Sequence, residues 1–160
     1  MKEWREEKID KRFILGTCIV LAILYFIPLE SNMLTFHFNH VNVFHLIVNM
    51  IALTTVMYRC KTYMLPLAFL FTSLIWLFAT NVIGFSGIIF FMWGTRFPYD
   101  IHNSTEPVKY IGMTTIPFLT SFLIPSLSFT LHFFPFLIGG IFGLIDYVNT
   151  RFNNIKPKQL

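Results

Sequence analysis

The chain has 160 residues, of which 55% are hydrophobic and 18% aromatic, and its mean hydropathy is +0.64. Only 12% of the residues are charged, about half the share found in water-soluble domains. This composition excludes an ordinary soluble enzyme or binding domain. It predicts a polytopic membrane protein with no appended water-soluble domain.

Apolar segments alternate with short polar stretches along the whole chain. We expect six helices, at residues 13–29, 43–58, 63–80, 84–95, 109–126 and 130–149. The predicted fold class is therefore all-α, with six transmembrane helices in one domain at 13–149 and tails at 1–12 and 150–160. The fourth segment is short and is expected at the centre, because it falls well under the roughly 20 residues that cross a bilayer alone.

The twelve Lys and Arg residues all lie in the two tails, in the second-to-third connection and in the fourth-to-fifth connection. In an even-numbered topology these four regions share one side of the membrane. Because cytoplasmic loops carry the excess of positive charge, we expect both termini in the cytoplasm. The net charge of +4 then marks the inner membrane face and implies no nucleic-acid partner.

Four polar side chains lie near the outer ends of three segments: His45 and Asn49 in the second, Ser86 in the fourth and His132 in the sixth. Because these three segments all enter from the outer face, the four groups are expected at a similar depth. A simpler alternative for Ser86 is a hydrogen bond to its own helix. For His45 and Asn49 the alternative is a hydrogen bond that joins packed helices.

The serine lies between two glycines, Gly84 and Gly87, at the start of the short fourth segment. We expect Ser86 to open that helix beneath a polar cavity, with its backbone N–H left unpaired. The two glycines would let the chain turn tightly and let another backbone come close.

The sixth segment carries a histidine and two glycines on one face, namely His132, Gly139 and Gly143. Small residues four apart permit two helices to pack closely. If this face packs on the face that carries Ser86 and Phe90, the imidazole meets the hydroxyl and the phenyl ring stacks beneath it. A serine becomes nucleophilic when a neutral histidine takes its proton. The pattern therefore predicts Ser86 and His132 as a catalytic pair.

His45 and Asn49 are four residues apart and so share one face of the second segment. Their N–H groups, together with the backbone N–H of Ser86, are suitable donors for a developing oxyanion. No Asp or Glu falls at this depth, since Glu30 lies outside the segments and Asp146 lies at a cytoplasmic end. We therefore expect a Ser-His dyad without an acid.

These residues resemble the rhomboid family of intramembrane serine proteases. The resemblance rests on "GFSG" at 84–87, "HVNVFHLIVN" at 40–49 and a last-segment histidine followed by a glycine face, and it covers nearly the whole chain. It implies a six-helix rhomboid-like bundle, with the dyad and the oxyanion donors assigned as above and Phe90 packed on the catalytic histidine. It also implies that His40 braces the first outer loop. That loop, at about 30–42, is shorter than in the family and lacks its Trp-Arg pair.

The expected function is hydrolysis of a peptide bond in a transmembrane protein, near the outer face and without a cofactor. The lipid bilayer and the substrate are the expected partners, a prokaryotic plasma membrane is the expected location, and the oligomeric state is left open. The short first loop motivates an alternative, an inactive rhomboid-like protein that binds membrane clients. A metal site is a third possibility, with ligands drawn from His37, His40, His45 and His132.

Overall fold

The computed structural model describes residues 8–78, 84–123 and 128–155, and the regular structure in these ranges is helical. Two short 3-10 turns lie at Phe36–Phe38 and Met57–Arg59. The α-helices are α1 (Lys11–Leu24), α2 (Val43–Val56), α3 (Met64–Trp76), α4 (Ser86–Asn103), α5 (Pro107–Leu123) and α6 (Phe129–Ile155). The all-α fold class is confirmed for the described residues.

The sequence located six of the helices but misjudged several of their ends. α1 ends at Leu24, short of the predicted end at residue 29. Pro28 follows soon after, and a proline disfavours helical backbone at the residue that precedes it. α6 continues to Ile155, beyond the predicted end at residue 149. The predicted ends at 79–80 and 124–126 and the outer parts of both tails, 1–7 and 156–160, lie outside the described residues.

The prediction of a short fourth helix is wrong, because α4 has 18 residues and runs to Asn103 rather than stopping at residue 95. The apolar run does end early, but the helix continues through polar residues. Arg96 pairs with Asp100 one turn later, and Tyr99 donates a hydrogen bond to Asp146 of α6. These contacts provide ion-pair and hydrogen-bond partners for polar residues in the second half of the helix. Hydropathy alone does not predict such partners.

α4 is the central helix of the bundle. Every residue from Ser86 to Met92 is buried, as are Gly94 and Thr95. α2, α3, α5 and α6 all contact it, and α6 makes the most extensive contact. Burial on all sides explains why the first half of α4 is apolar around its whole circumference.

Glycines bring α4 and α6 into backbone contact. A methyl group added at Gly139 would overlap the carbonyl oxygen of Phe91, and one added at Gly143 would overlap that of Thr95. From α4, Gly94 in turn faces the backbone of Phe136 in α6. The predicted close approach along the glycine face of the last helix is therefore present, and it fixes the position of α6 relative to α4.

Much of the outer surface is apolar. Side chains such as Leu15, Phe44, Met113 and Phe152 expose 62%, 73%, 62% and 65% of their area, a pattern that monomeric soluble proteins rarely show over a wide surface. In the described residues, one helical stretch, Phe129–Phe152, is long and apolar enough by itself to cross a membrane, and Val43–Arg59 and Met64–Trp76 are shorter apolar helices. The count of six membrane spans remains a prediction.

Candidate active site

The turn before α4 places Ser86 at the first position of the helix. Gly84 has a φ of 108°, a left-handed conformation that glycine adopts without a steric penalty. Its N–H donates to the carbonyl of Phe36 at 2.9 Å, which ties this turn to the buried 3-10 turn. Because Ser86 is the first residue of the helix, its backbone N–H has no acceptor within the helix.

Gly87 has a different role from the one predicted. A methyl group added there would meet the side chains of Leu131 at 2.8 Å and Thr72 at 3.2 Å, rather than another backbone. At Gly84, the same addition would come within 2.9 Å of the His45 ring. Both glycines thus make room for side chains around the serine.

Capping residues set the positions of His45 and His132, the two histidines that line the same cavity as Ser86. The side chain of Asn42 accepts the backbone N–H of His45 at 2.9 Å, so α2 begins where His45 lies in its first turn. Ser128 similarly accepts the backbone N–H of Leu131 at 3.2 Å, and α6 begins at Phe129, one residue before the predicted start at 130. His132 therefore lies in the first turn of α6.

The predicted contact between the serine and the last-helix histidine is present. Nε2 of His132 lies 2.9 Å from Oγ of Ser86, which is within ordinary hydrogen-bond range. Only 5% of Ser86 and 6% of His132 is exposed. The ring of Phe90 stacks on the imidazole with centroids 4.3 Å apart and planes 19° apart, so the imidazole has a fixed orientation.

This pair opens onto a cavity of about 370 Å³. His45 and Asn49 line the same cavity as Ser86, Phe90 and His132, so the structure brings all the predicted dyad and oxyanion residues together. Nδ2 of Asn49 and Nδ1 of His45 are buried and have no hydrogen-bond partner among the described residues. A buried donor without a partner costs free energy. Because Asn49 lines the cavity, an oxygen of a ligand bound there could accept a hydrogen bond from its Nδ2.

His40 packs against His45 and is not among the residues that line the cavity. Its Nδ1 lies 3.1 Å from the carbonyl oxygen of Phe38, and its ring meets the ring of His45 edge to face at 5.4 Å. With Nδ1–H donating to that carbonyl, the neutral ring keeps Nε2 as an acceptor. His40 thus joins the first loop to the start of α2, the position that a bracing residue requires.

A second buried serine–histidine pair shows why the cavity matters. Nε2 of His37 lies 3.1 Å from Oγ of Ser73, nearly the same separation as in the first pair. His37 is fully buried, and neither residue lines the cavity. This pair ties the first loop to α3. Distance alone therefore does not identify a catalytic pair, whereas access to a ligand-sized space does.

The sequence did not predict how far the cavity extends. Beyond the dyad its wall includes Thr55 and Val56 of α2, Trp93 of α4 and Pro117 of α5. The spacing of 49, 52 and 56 along α2 and of 86, 89 and 93 along α4 follows one helical face in each case. That periodicity was visible in the sequence, but it is the same for a packed core and for a cavity wall.

Acidic residues cluster at the other end of the bundle. Asp100 pairs with Arg59 and Arg96, while Asp146 binds Lys61 and accepts a hydrogen bond from Tyr63. Within the described ranges, no three His, Cys, Asp or Glu side chains are placed to hold a metal ion. The alternative of a histidine metal site therefore finds no donor set in these ranges.

Comparisons with protein-family models, with curated proteins and with solved structures found no match for this chain.

Proposed function

We propose that this protein is an intramembrane serine endopeptidase that cleaves membrane-spanning substrates near the outer membrane face. The observation that carries the proposal is the contact between Ser86 Oγ and His132 Nε2 at 2.9 Å, in a cavity that also holds His45 and Asn49. Such a pair, with donors beside it, is the minimum machinery for acyl transfer. The rhomboid resemblance in the sequence supports the same function.

The membrane placement rests on the apolar outer surface and on the distribution of charge. The six helices span the bilayer, and the end of the bundle that carries Asp100 and Asp146 faces the cytoplasm. Arg59, Lys61 and Arg96 lie at that end, as the excess of positive charge in cytoplasmic loops requires. The dyad then lies below the outer surface, where the cavity provides water for hydrolysis.

The reaction proceeds in two acyl-transfer steps. Ser86 Oγ attacks the carbonyl carbon of the scissile peptide while His132 Nε2 takes the hydroxyl proton. Asn49 Nδ2, the His45 ring and the Ser86 backbone N–H donate to the oxyanion. The C–N bond then breaks as the imidazolium returns the proton to the leaving amine. Water attacks the resulting ester with His132 again as base, which frees Ser86 and a carboxylic acid.

The shape of the cavity supports an extended segment of a transmembrane helix as the substrate. The walls are largely apolar, and both α2 and α5 contribute to them, with Val48 and Pro117 among the lining residues. A substrate helix enters from the lipid beside α5 and unwinds locally. The carbonyl of the unwound segment can then reach Ser86, of which only 5% is exposed.

The test is cleavage of a model substrate with one transmembrane helix, co-reconstituted with the protein in vesicles. Ser86→Ala should lower the rate at least about a thousand-fold, as loss of a catalytic nucleophile does. Ser73→Ala removes a buried hydroxyl that also faces a histidine, so it is the matched control and should retain activity. Unchanged cleavage by Ser86→Ala would overturn the proposal.

A further inference from the structure

A second cavity lies between α1 and α2, at the end of the bundle away from Ser86. Its volume is about 340 Å³, and it is lined by Lys11, Ile14, Leu15, Thr54 and Tyr58. It shares no residue with the cavity of the dyad. The candidate active site therefore does not account for it.

The cavity combines a polar end with an apolar extension. Lys11, the first residue of α1, supplies an ammonium group, and Tyr58, in the 3-10 turn that follows α2, supplies a phenol. Leu15 lines the cavity. Beyond the lining residues, Ile19 follows Leu15 by four positions on α1, and Ile51 of α2 lies two turns before Tyr58. These three aliphatic side chains expose 62%, 51% and 59% of their area. This cavity and the exposed aliphatic side chains beside it form a groove between α1 and α2. The groove suits a ligand with an anionic head and a hydrocarbon chain.

The charge around the polar end is complementary to such a head. Lys8, Lys11 and Arg12 are all exposed, and in the described ranges none of them pairs with an acidic side chain. The acidic residue between them, Asp10, accepts the backbone N–H of Arg12. Among residues 8–12, the part of this tail that the structure describes, three cations stand against one carboxylate, so the described charge here is positive.

We infer that the groove between α1 and α2 binds an anionic phospholipid of the cytoplasmic leaflet. The phosphate lies at Lys11 and Tyr58, and an acyl chain follows Leu15 and Ile19 toward the bilayer centre. Basic pockets between helices on the cytoplasmic side are suited to anionic head groups, and tyrosine is favoured at that interface. The inference rests on the membrane placement proposed above but not on catalysis.

The experiment is native mass spectrometry of the full chain in a nonionic detergent, carried out on the Ser86→Ala protein. Phosphatidylglycerol and phosphatidylcholine with identical acyl chains are added in turn. The protein should retain phosphatidylglycerol in preference, and Lys11→Gln should lower that preference about five-fold, the effect of one basic side chain at an anionic surface. Thr54→Phe, which fills the cavity, should lower binding of phosphatidylglycerol without a change of charge.

The matched control is Lys109→Gln, which removes the same charge from a side chain that is 70% exposed on α5. This variant should bind like the parent. Equal retention of the two lipids, an unchanged preference in Lys11→Gln, or an equal loss in Lys109→Gln would overturn the inference. Displacement by glycerol 3-phosphate would assign the site to a free phosphate compound and would overturn it too. If Thr54→Phe fails to fold, the exposed Lys11 decides the outcome, and because the serine is absent throughout, failure here leaves the proposed protease function untouched.

Discussion

The imidazole of His132 is held by an aromatic ring on one side and a serine hydroxyl on its edge. Phe90 stacks on the ring at 4.3 Å, and Phe90 itself packs on Phe118 of α5 and on Trp93. A buried ring with a packed face has little freedom to rotate. The stacking therefore keeps Nε2 directed at Ser86 Oγ, a positioning role that an acid fulfils in a triad.

The donor proposed for the oxyanion can be tested at Asn49. Asn49→Ala removes a buried amide whose Nδ2 is unpaired among the described residues, so stability should change little, while kcat should fall about 100-fold or more. Thr55→Ala is the control in the same cavity wall, because its hydroxyl donates to its own helix at Ile51. Equal kcat values for the two variants would contradict an oxyanion role, and steady-state kinetics on the model substrate provide the measurement.

Protonation of His37 should destabilise the fold in acid. Burial lowers the pKa of His37 to about 4, below the value of about 6.5 in an unfolded chain. The unfolded state therefore binds a proton that the folded state does not, so stability is full above pH 6.5 and falls as the pH drops toward 4. The expected loss approaches about 3 kcal/mol, at about 1.4 kcal/mol for each pH unit between the two pKa values.

The measurement is the free energy of unfolding between pH 7 and pH 4 in the parent and in His37→Gln, which keeps a polar partner for Ser73. The parent should lose more stability over this range than the variant. Parallel curves would show that His37 does not titrate on unfolding.

At the scale of elements, two adjacent glycines of α6 differ sharply in their surroundings. A methyl group at Gly139 would overlap the Phe91 carbonyl, whereas at Gly140 the nearest atom is 3.9 Å away. Gly139→Ala should destabilise the protein by about 1–3 kcal/mol through overpacking. Gly140→Ala should be neutral or stabilising, because alanine favours the helix by about 1 kcal/mol. Thermal unfolding in detergent measures both, and similar midpoints would contradict the packing described here.

The sequence predicted the elements that local signals define. Ser86 opens α4 beside its glycines, and α6 begins just after Ser128, because turns and caps act within a few residues. The end of α4 was missed because Tyr99 and Asp100 are satisfied by residues far away in the chain, at 146 and 59. Contacts between residues this far apart in the chain produce no periodic pattern in the sequence. The pairing of His37 with Ser73 was missed for the same reason.

At the scale of the whole molecule, the orientation in the membrane can be tested with single cysteines. Cys18 and Cys60 are both buried, so a new surface cysteine becomes the reactive thiol. In intact cells a membrane-impermeant maleimide should label Ser31→Cys, in the first outer loop. It should label Thr105→Cys, between α4 and α5, only after the membrane is opened. Labelling of both positions from one side would contradict the predicted topology.

The most direct measurement of the central claim is labelling with a fluorophosphonate, which forms a covalent bond with an activated serine. After proteolysis and mass spectrometry, the adduct should be found on Ser86 in the parent and in Ser73→Ala. It should disappear in His132→Asn, since without the imidazole the hydroxyl keeps its proton. An unlabelled parent, or a Ser86 adduct that persists without His132, would contradict a working Ser86–His132 dyad, and the unlabelled parent would favour an inactive protein that binds membrane clients.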